Sequence, residues 1–249
     1  MVCYMRGFKY HKHLCPKIWD SENRMDQLVV QSLCMMAWDF VRYLQFLGVP
    51  IKQSDVLDIV VHGSVTNYYW DSKSDIDLAI VADLSNVEKW VNGGNLYAMM
   101  KAFARSWRRT KTMSVAGRNI DIKLIDKNRE YSREYWTVGS VYSVLRKYWL
   151  CVPVRMSRDE LRSIRRVAYK KYRVVMRQCR IILREKMSAE YIDAYLVNLQ
   201  RVRVNAAIEN HVQPIVSTTW AFKMVRNSGV LRKMRNRSKK LQSKNYSIY

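Results

Sequence analysis

Apolar positions along the first half of the chain switch twice between helical and strand spacing. Met25, Leu28, Val29, Leu33, Met36, Phe40, Leu44 and Leu47 recur every three or four residues and predict a long amphipathic helix that ends at Gly48 and Pro50 and packs on a sheet. The run Val56–Val61, apolar but for Asp58, reads as a buried strand. After it, Ile76, Leu78 and Ile80 alternate with polar or small residues, the period of a strand with two unlike faces. Val87 to Arg109 returns to helical spacing with an interruption at Gly93-Gly94. Met113 to Ala116 leads through Gly117 into a second alternating strand, Arg118 to Ile125. Beyond Pro153 the pattern is helical throughout. Ser157 and Glu160 form a capping box opening a helix whose apolar stripe is Leu161, Ile164, Ala168, Tyr172, Val175, Cys179 and Ile182. A second helix starts near Ser188 and carries Ile192, Tyr195, Leu196, Leu199, Val202 and Ala206, and a third spans Trp220 to Arg235. The expected organisation is a mixed α/β sheet module flanked by helices over 1–150, then an all-helical module over 151–249 ending in a mobile basic tail.

The strand pattern places chemistry. Asp75 and Asp77 are two apart in an apolar stretch, so they share one strand face while Ile76, Leu78 and Ile80 take the other. Two carboxylates held that close repel unless a cation sits between them, and hard oxygen ligands at that spacing suit Mg²⁺ or Mn²⁺. Upstream, Val56–Val61 ends at His62-Gly63-Ser64, where Gly63 lets backbone N–H groups approach phosphate oxygens and the Ser64 hydroxyl adds a donor. In the later strand Ile120, Ile122 and Leu124 share a face, which leaves Asp121 on the opposite, open one. Asp126 has the wrong parity for that face. His62 reads as a neutral histidine packed at a strand end.

Gly63-Ser64, ten intervening residues, then Asp75-Ile76-Asp77-Leu78, with Asp121 on a later strand, resembles the signature of the DNA polymerase beta-like nucleotidyltransferase superfamily. The match spans roughly Val56 to Ile125. The resemblance implies a nucleotidyltransferase fold in which Asp75, Asp77 and Asp121 hold two divalent ions while Gly63 and Ser64 hold the phosphates of a nucleoside triphosphate, ATP among the candidates. Many small members carry Arg-Gly-Thr after Gly-Ser, whereas this chain has Val65-Thr66-Asn67. It thereby lacks an arginine that would help hold the triphosphate.

Charge narrows the acceptor. The 249 residues carry a formal net charge of +23. Residues 1–150 hold 21 basic and 15 acidic side chains, the remainder 23 and 6, so the excess is +6 and then +17. Arg162, Arg166, Lys170, Arg173, Arg177, Arg180 and Arg184 form a cationic ridge beside the apolar stripe, with no acid between Arg162 and Arg184. A solvated surface helix normally mixes signs, so the ridge points to RNA or another nucleic acid, whose phosphates arginine binds bidentately. Tyr68, Tyr69, Trp70, Tyr169, Tyr172, Tyr191 and Tyr195 are expected to pack, with stacking on a nucleobase as the alternative.

Other features add less. Five cysteines, an odd number with no secretory signal, argue for a reducing, cytoplasmic compartment. Cys3, His11, His13 and Cys15 match no usual zinc spacing. No apolar run approaches membrane-spanning length. The expected function is metal-dependent, template-independent transfer of a nucleoside monophosphate to an RNA 3′ end. Transfer to a protein or small molecule is one alternative, and a non-catalytic nucleic-acid-binding protein that keeps the fold is another.

Overall fold

The computed structural model describes residues 10–72, 74–110, 113–127, 139–185, 187–209 and 217–246. The chain divides into two compact units, the first ending at Val154 and the second beginning at Arg155.

The first unit is built on a six-stranded mixed sheet. Its strands are β1 (Val56–His62), β2 (Ile76–Ala82), β3 (Ser114–Val115), β4 (Arg118–Asp126), β5 (Val141–Ser143) and β6 (Tyr148–Cys151), in spatial order β3-β4-β2-β1-β5-β6. Only β2 and β4 run parallel, and the crossover between them carries two helices, as a parallel connection requires. These are α2 (Ser85–Val91) and α3 (Leu96–Thr110), separated at the expected Gly93-Gly94 break, where Asn92 and Gly93 both take positive φ. A tight turn through Ala116 and Gly117, again at positive φ, joins β3 to β4.

One sheet face is dry. Ile59, Val61, Ile76, Leu78, Ile80, Ile120 and Ile122 pack there against α1 (Gln27–Phe46) and α3, with Phe40 and Trp107 among the largest side chains fully enclosed. Helix α1 is capped by Asp26, whose carboxylate accepts from the backbone N–H groups of Leu28 and Val29. Its buried stripe is Val29, Val30, Leu33, Ala37, Phe40, Val41 and Leu44, whereas Leu28, expected on the core face, is 72% exposed. Spacing alone admits either side of Val29. The sheet selects the face that carries the two bulkier i, i+7 positions, Leu33 and Phe40.

The second unit has four helices: α4 (Arg158–Arg184), α5 (Ala189–Glu209), α6 (Ser217–Asn227) and α7 (Val230–Tyr246). Helix α4 opens on the expected capping box, Ser157 with Glu160. Cys179, Ile182, Ile192, Val225, Leu231 and Met234 form the centre of a second core. The sequence predicts one helix from Trp220 to Arg235, but the chain breaks at Ser228-Gly229, with Gly229 at φ +78°, and restarts as α7. The basic stretch predicted as a mobile tail is helical up to Tyr246. Its Ser238 is buried and donates to Asp193 at 2.7 Å, and Arg237 donates to the Leu183 carbonyl at 2.6 Å. No helix among the described residues is long and apolar enough to cross a membrane.

The face assignment of α1 is checked by paired truncations. Phe40→Ala should cost about 3–5 kcal/mol in denaturant unfolding of the sheet unit, and Leu28→Ala less than about 0.5 kcal/mol.

Candidate active site

The sheet face opposite the dry one changes character along its length. At one end Val60, Ala79, Ile125 and Val141 bury each other. At the other end stand His62, Asp77 and Asp121.

Parallel pairing of β2 with β4 sets Asp77 directly beside Asp121, on neighbouring strands about 4.8 Å apart. Antiparallel pairing of β1 with β2 sets His62 beside Asp77 on the other flank. Across the sheet the order is therefore Asp121, Asp77, His62. Asp75 precedes β2 by one residue and is exposed; it shares the parity of Asp77 but lies outside the ladder. The strand-parity argument for Asp121 holds in the packing, since its neighbours Ile120 and Ile122 are buried in the main core. Asp126, paired with Ala82, is itself buried and lies at the far end of β4.

Gly63 closes the site beside Asp77. Its φ of +87° and ψ of −150° lie in a region essentially reserved for glycine, and a Cβ on it would collide with Asp77 Oδ2. The missing side chain is what lets the Asp77 carboxylate lie against the turn. The turn itself is tied down by the residues that depart from the family pattern. Thr66 Oγ1 donates to the Gly63 or Ser140 carbonyl, each 2.9 Å away, Asn67 Nδ2 donates to the Gly63 carbonyl at 2.7 Å, and the Ser140 hydroxyl donates back to the Thr66 carbonyl. Trp19 adds a bond from its indole N–H to the Val65 carbonyl at 2.8 Å. Ser64, which starts the short 3₁₀ turn after Gly63, is half-buried.

Cations already face the carboxylates. Arg108 of α3 donates to Asp121 at 2.6 Å, and Lys123, two residues along the same face of β4, lies 3.9 Å from Asp77. Among the described residues, no group of three or more His, Cys, Asp or Glu side chains is arranged to hold a metal ion. Asp77 and Asp121 nevertheless offer a two-carboxylate, all-oxygen donor set of the kind that suits Mg²⁺ or Mn²⁺, and the seated guanidinium and ammonium occupy the positions of positive charge. Asp75, one residue before β2, is the carboxylate nearest to them along the chain.

Sequence reasoning missed Arg118. It is buried, and its Nη1 donates to the carbonyls of Asp71 and Ser74, each at 2.8 Å, so it holds the loop that delivers Asp75 and Asp77. Its Nη2 lies 3.2 Å from the Cys15 sulfur. An arginine at the head of an apolar strand was the available signal, because a buried guanidinium must be satisfied by backbone carbonyls or acids. The aromatic residues of the turn pack rather than present a face. Tyr68 and Tyr69 are buried, while Trp70 stacks on His11 with ring centroids 3.8 Å apart. Cys15 and His11 are thereby taken up in packing, and Cys3 lies outside the described residues. In the second unit Arg162, Arg166, Lys170, Arg173, Arg177, Arg180 and Arg184 are all exposed along α4, and Tyr169 and Tyr191 are exposed as well.

No protein-family model, no curated protein and no solved structure matches the chain.

His62 provides a check on this environment. Burial, aided by the nearby Lys123 charge and opposed by Asp121, lowers its pKa to about 3 from 6.5. Between those values the unfolded chain binds a proton that the folded chain refuses, so stability falls as pH drops from about 6.5 towards 3 and is insensitive to this group above 6.5. Denaturant unfolding of wild type and His62→Asn across pH 4 to 8 should show a steeper acid loss in the wild type.

Proposed function

We propose that the chain is a metal-dependent, template-independent nucleotidyltransferase that moves a nucleoside monophosphate from a nucleoside triphosphate to an RNA 3′ end. The observation that carries the reading is the row His62, Asp77, Asp121 across three adjacent strands, two carboxylates in register with the Gly63 turn packed against the first of them. The chemistry asked of it is an in-line displacement. The acceptor's 3′ oxygen forms a bond to the α-phosphorus, the bond from that phosphorus to the bridging oxygen breaks, and pyrophosphate leaves while the hydroxyl proton passes to water.

Asp75, Asp77 and Asp121 would hold the divalent ions, which supply charge neutralisation and acidify the attacking hydroxyl. Gly63 and Ser64 orient the β- and γ-phosphates. The Thr66 and Asn67 bonds keep that turn rigid, so positioning costs little at the moment of reaction. Arg108 and Lys123 must give way when a divalent ion arrives, and each then becomes available to an anionic substrate. The cationic ridge of α4 supports a nucleic-acid acceptor over a protein or small molecule, because seven exposed basic residues along one helix with no intervening acid match a phosphodiester backbone.

A second reading is favoured by one observation: both carboxylates already have a basic partner. A protein that keeps the fold as a nucleic-acid binder would show the same two ion pairs and would not exchange them for metal. Mn²⁺ titration calorimetry separates the two. Under the enzyme reading Arg108→Gln should tighten Mn²⁺ binding several-fold, since Asp121 no longer has to shed a guanidinium. Under the binder reading neither protein takes up Mn²⁺.

Transfer itself is tested with each labelled nucleoside triphosphate, Mg²⁺ or Mn²⁺ and single-stranded RNA, followed by separation of nucleic acid, protein and small molecules. Label should enter the RNA fraction, Asp77→Asn should lower the rate by at least a hundredfold without loss of folding, and Arg166, Arg173 and Arg177→Glu should weaken RNA binding. Label in the protein or small-molecule fraction moves the acceptor, and wild-type rates in Asp77→Asn defeat the proposal.

A further inference from the structure

Beside Asp121, on the side away from Asp77, lies a cavity of about 300 Å³ between α3 and β4. Four consecutive residues, Asp121–Leu124, line it, so it touches both faces of β4 and follows that strand's outer edge. The inner edge is paired with β2, and β3 covers the outer one only at Arg118 and Asn119. Met100, Ala104 and Ile122 give the cavity an apolar floor. Around that floor the charge is one-sided. Lys101, Arg105 and Arg108 stand at successive turns of α3, Lys123 comes from the strand, and Asp121 is the single acid. Tyr97, one turn before Lys101, is 48% exposed at the same wall, with the Lys101 ammonium 5.7 Å from its ring centroid. An apolar floor, a half-exposed aromatic ring and the basic pair Lys101 and Arg105, with Arg108 and Lys123 behind them already paired to Asp121 and Asp77, fit an aromatic anion, and a nucleotide is the ligand class with that composition.

The strand order decides which nucleotide. An in-line displacement needs the entering oxygen and the leaving pyrophosphate on opposite sides of the reacting phosphorus. The phosphate-gripping turn follows β1 and lies on the Asp77 side, whereas this cavity lies past β4, on the Asp121 side. The carboxylate pair stands between them. We infer that the cavity between α3 and β4 seats the 3′-terminal nucleotide of an acceptor RNA, with its phosphodiester on Lys101 and Arg105, its base against Tyr97 and its terminal hydroxyl directed at Asp121. The volume admits about one nucleotide, at the lower end of small-ligand pockets. This inference rests on the transferase reading for the direction of approach, while the cavity's own chemistry is independent of turnover.

The test uses the full chain and a short single-stranded oligoribonucleotide ending in 4-thiouridine. After irradiation, the cross-linked peptide should fall within Leu96–Thr110. Lys101→Glu with Arg105→Glu should abolish that cross-link, weaken oligonucleotide binding at least tenfold and flatten its salt dependence by about 0.7 per lost contact, while nucleoside triphosphate affinity stays at the wild-type value. Lys101→Gln with Arg105→Gln guards against misfolding by reversal and should give the same result in smaller measure, at an unchanged melting temperature. A wild-type cross-link outside α3 overturns the inference. So does a variant that loses triphosphate affinity instead of oligonucleotide affinity, which would make the cavity a triphosphate site. Failure of the two proposals is distinguishable: a cross-link in α3 with no incorporation of any nucleotide retains the cavity and removes the enzyme. Incorporation with a cross-link elsewhere does the reverse.

Discussion

Two negative charges side by side on neighbouring strands set the terms for everything around them. Asp77 and Asp121 are held abreast by a parallel ladder whose backbone cannot yield, so their repulsion has to be met by positive charge brought to them. Arg108 and Lys123 meet it here. Neither belongs to the strand that carries Asp77: Arg108 comes from α3 and Lys123 from β4, two residues beyond Asp121. The requirement is one of charge, and under the proposed function a divalent ion would meet it in place of these two side chains.

The same sheet face makes that arrangement possible. Val60, Ala79, Ile125 and Val141 fill its far end with hydrocarbon, so the charged end is backed by protein and open to solvent on the other side. Lining one face with the main core and half of the other with a smaller one anchors β2 and β4 along nearly their whole length. The carboxylates are left beyond that hydrocarbon, covered by Arg108 and Lys123 and partly open to solvent. Arg118 and the Thr66–Asn67–Ser140 bonds extend this rigidity into the two loops that approach the row, which would otherwise be the parts free to wander.

What could be read from the sequence followed from local periodicity. The strand of Asp77, the Asp121 parity, the Gly93-Gly94 break and the Ser157 capping box all depend on residues within one turn or one strand, and each is where the spacing puts it; Asp75, expected on the same strand, falls one residue before it. The short strands β5 and β6 were not read, since three or four residues carry no period. The second-unit break at Gly229 was missed because apolar spacing continues across it, and only the positive φ of that glycine separates α6 from α7. Partnerships were the least legible. Arg108 meets Asp121 across 13 positions, and Arg118 reaches Ser74 across 44, by contacts that exist only once the sheet has assembled. Likewise the role of Thr66 and Asn67 as locks on the turn was invisible when they were seen only as the absence of an expected arginine.

Gly63 shows how narrowly one position can be bound while its surroundings are free. Any larger residue there displaces the Asp77 carboxylate, and any residue with a Cβ resists the backbone angle. A substitution at Gly63 therefore disturbs backbone and carboxylate together, whereas a shorter side chain at position 77 would relieve the contact and leave the turn intact. The helices and loops elsewhere face no such restriction, because an apolar stripe can be refilled one residue at a time.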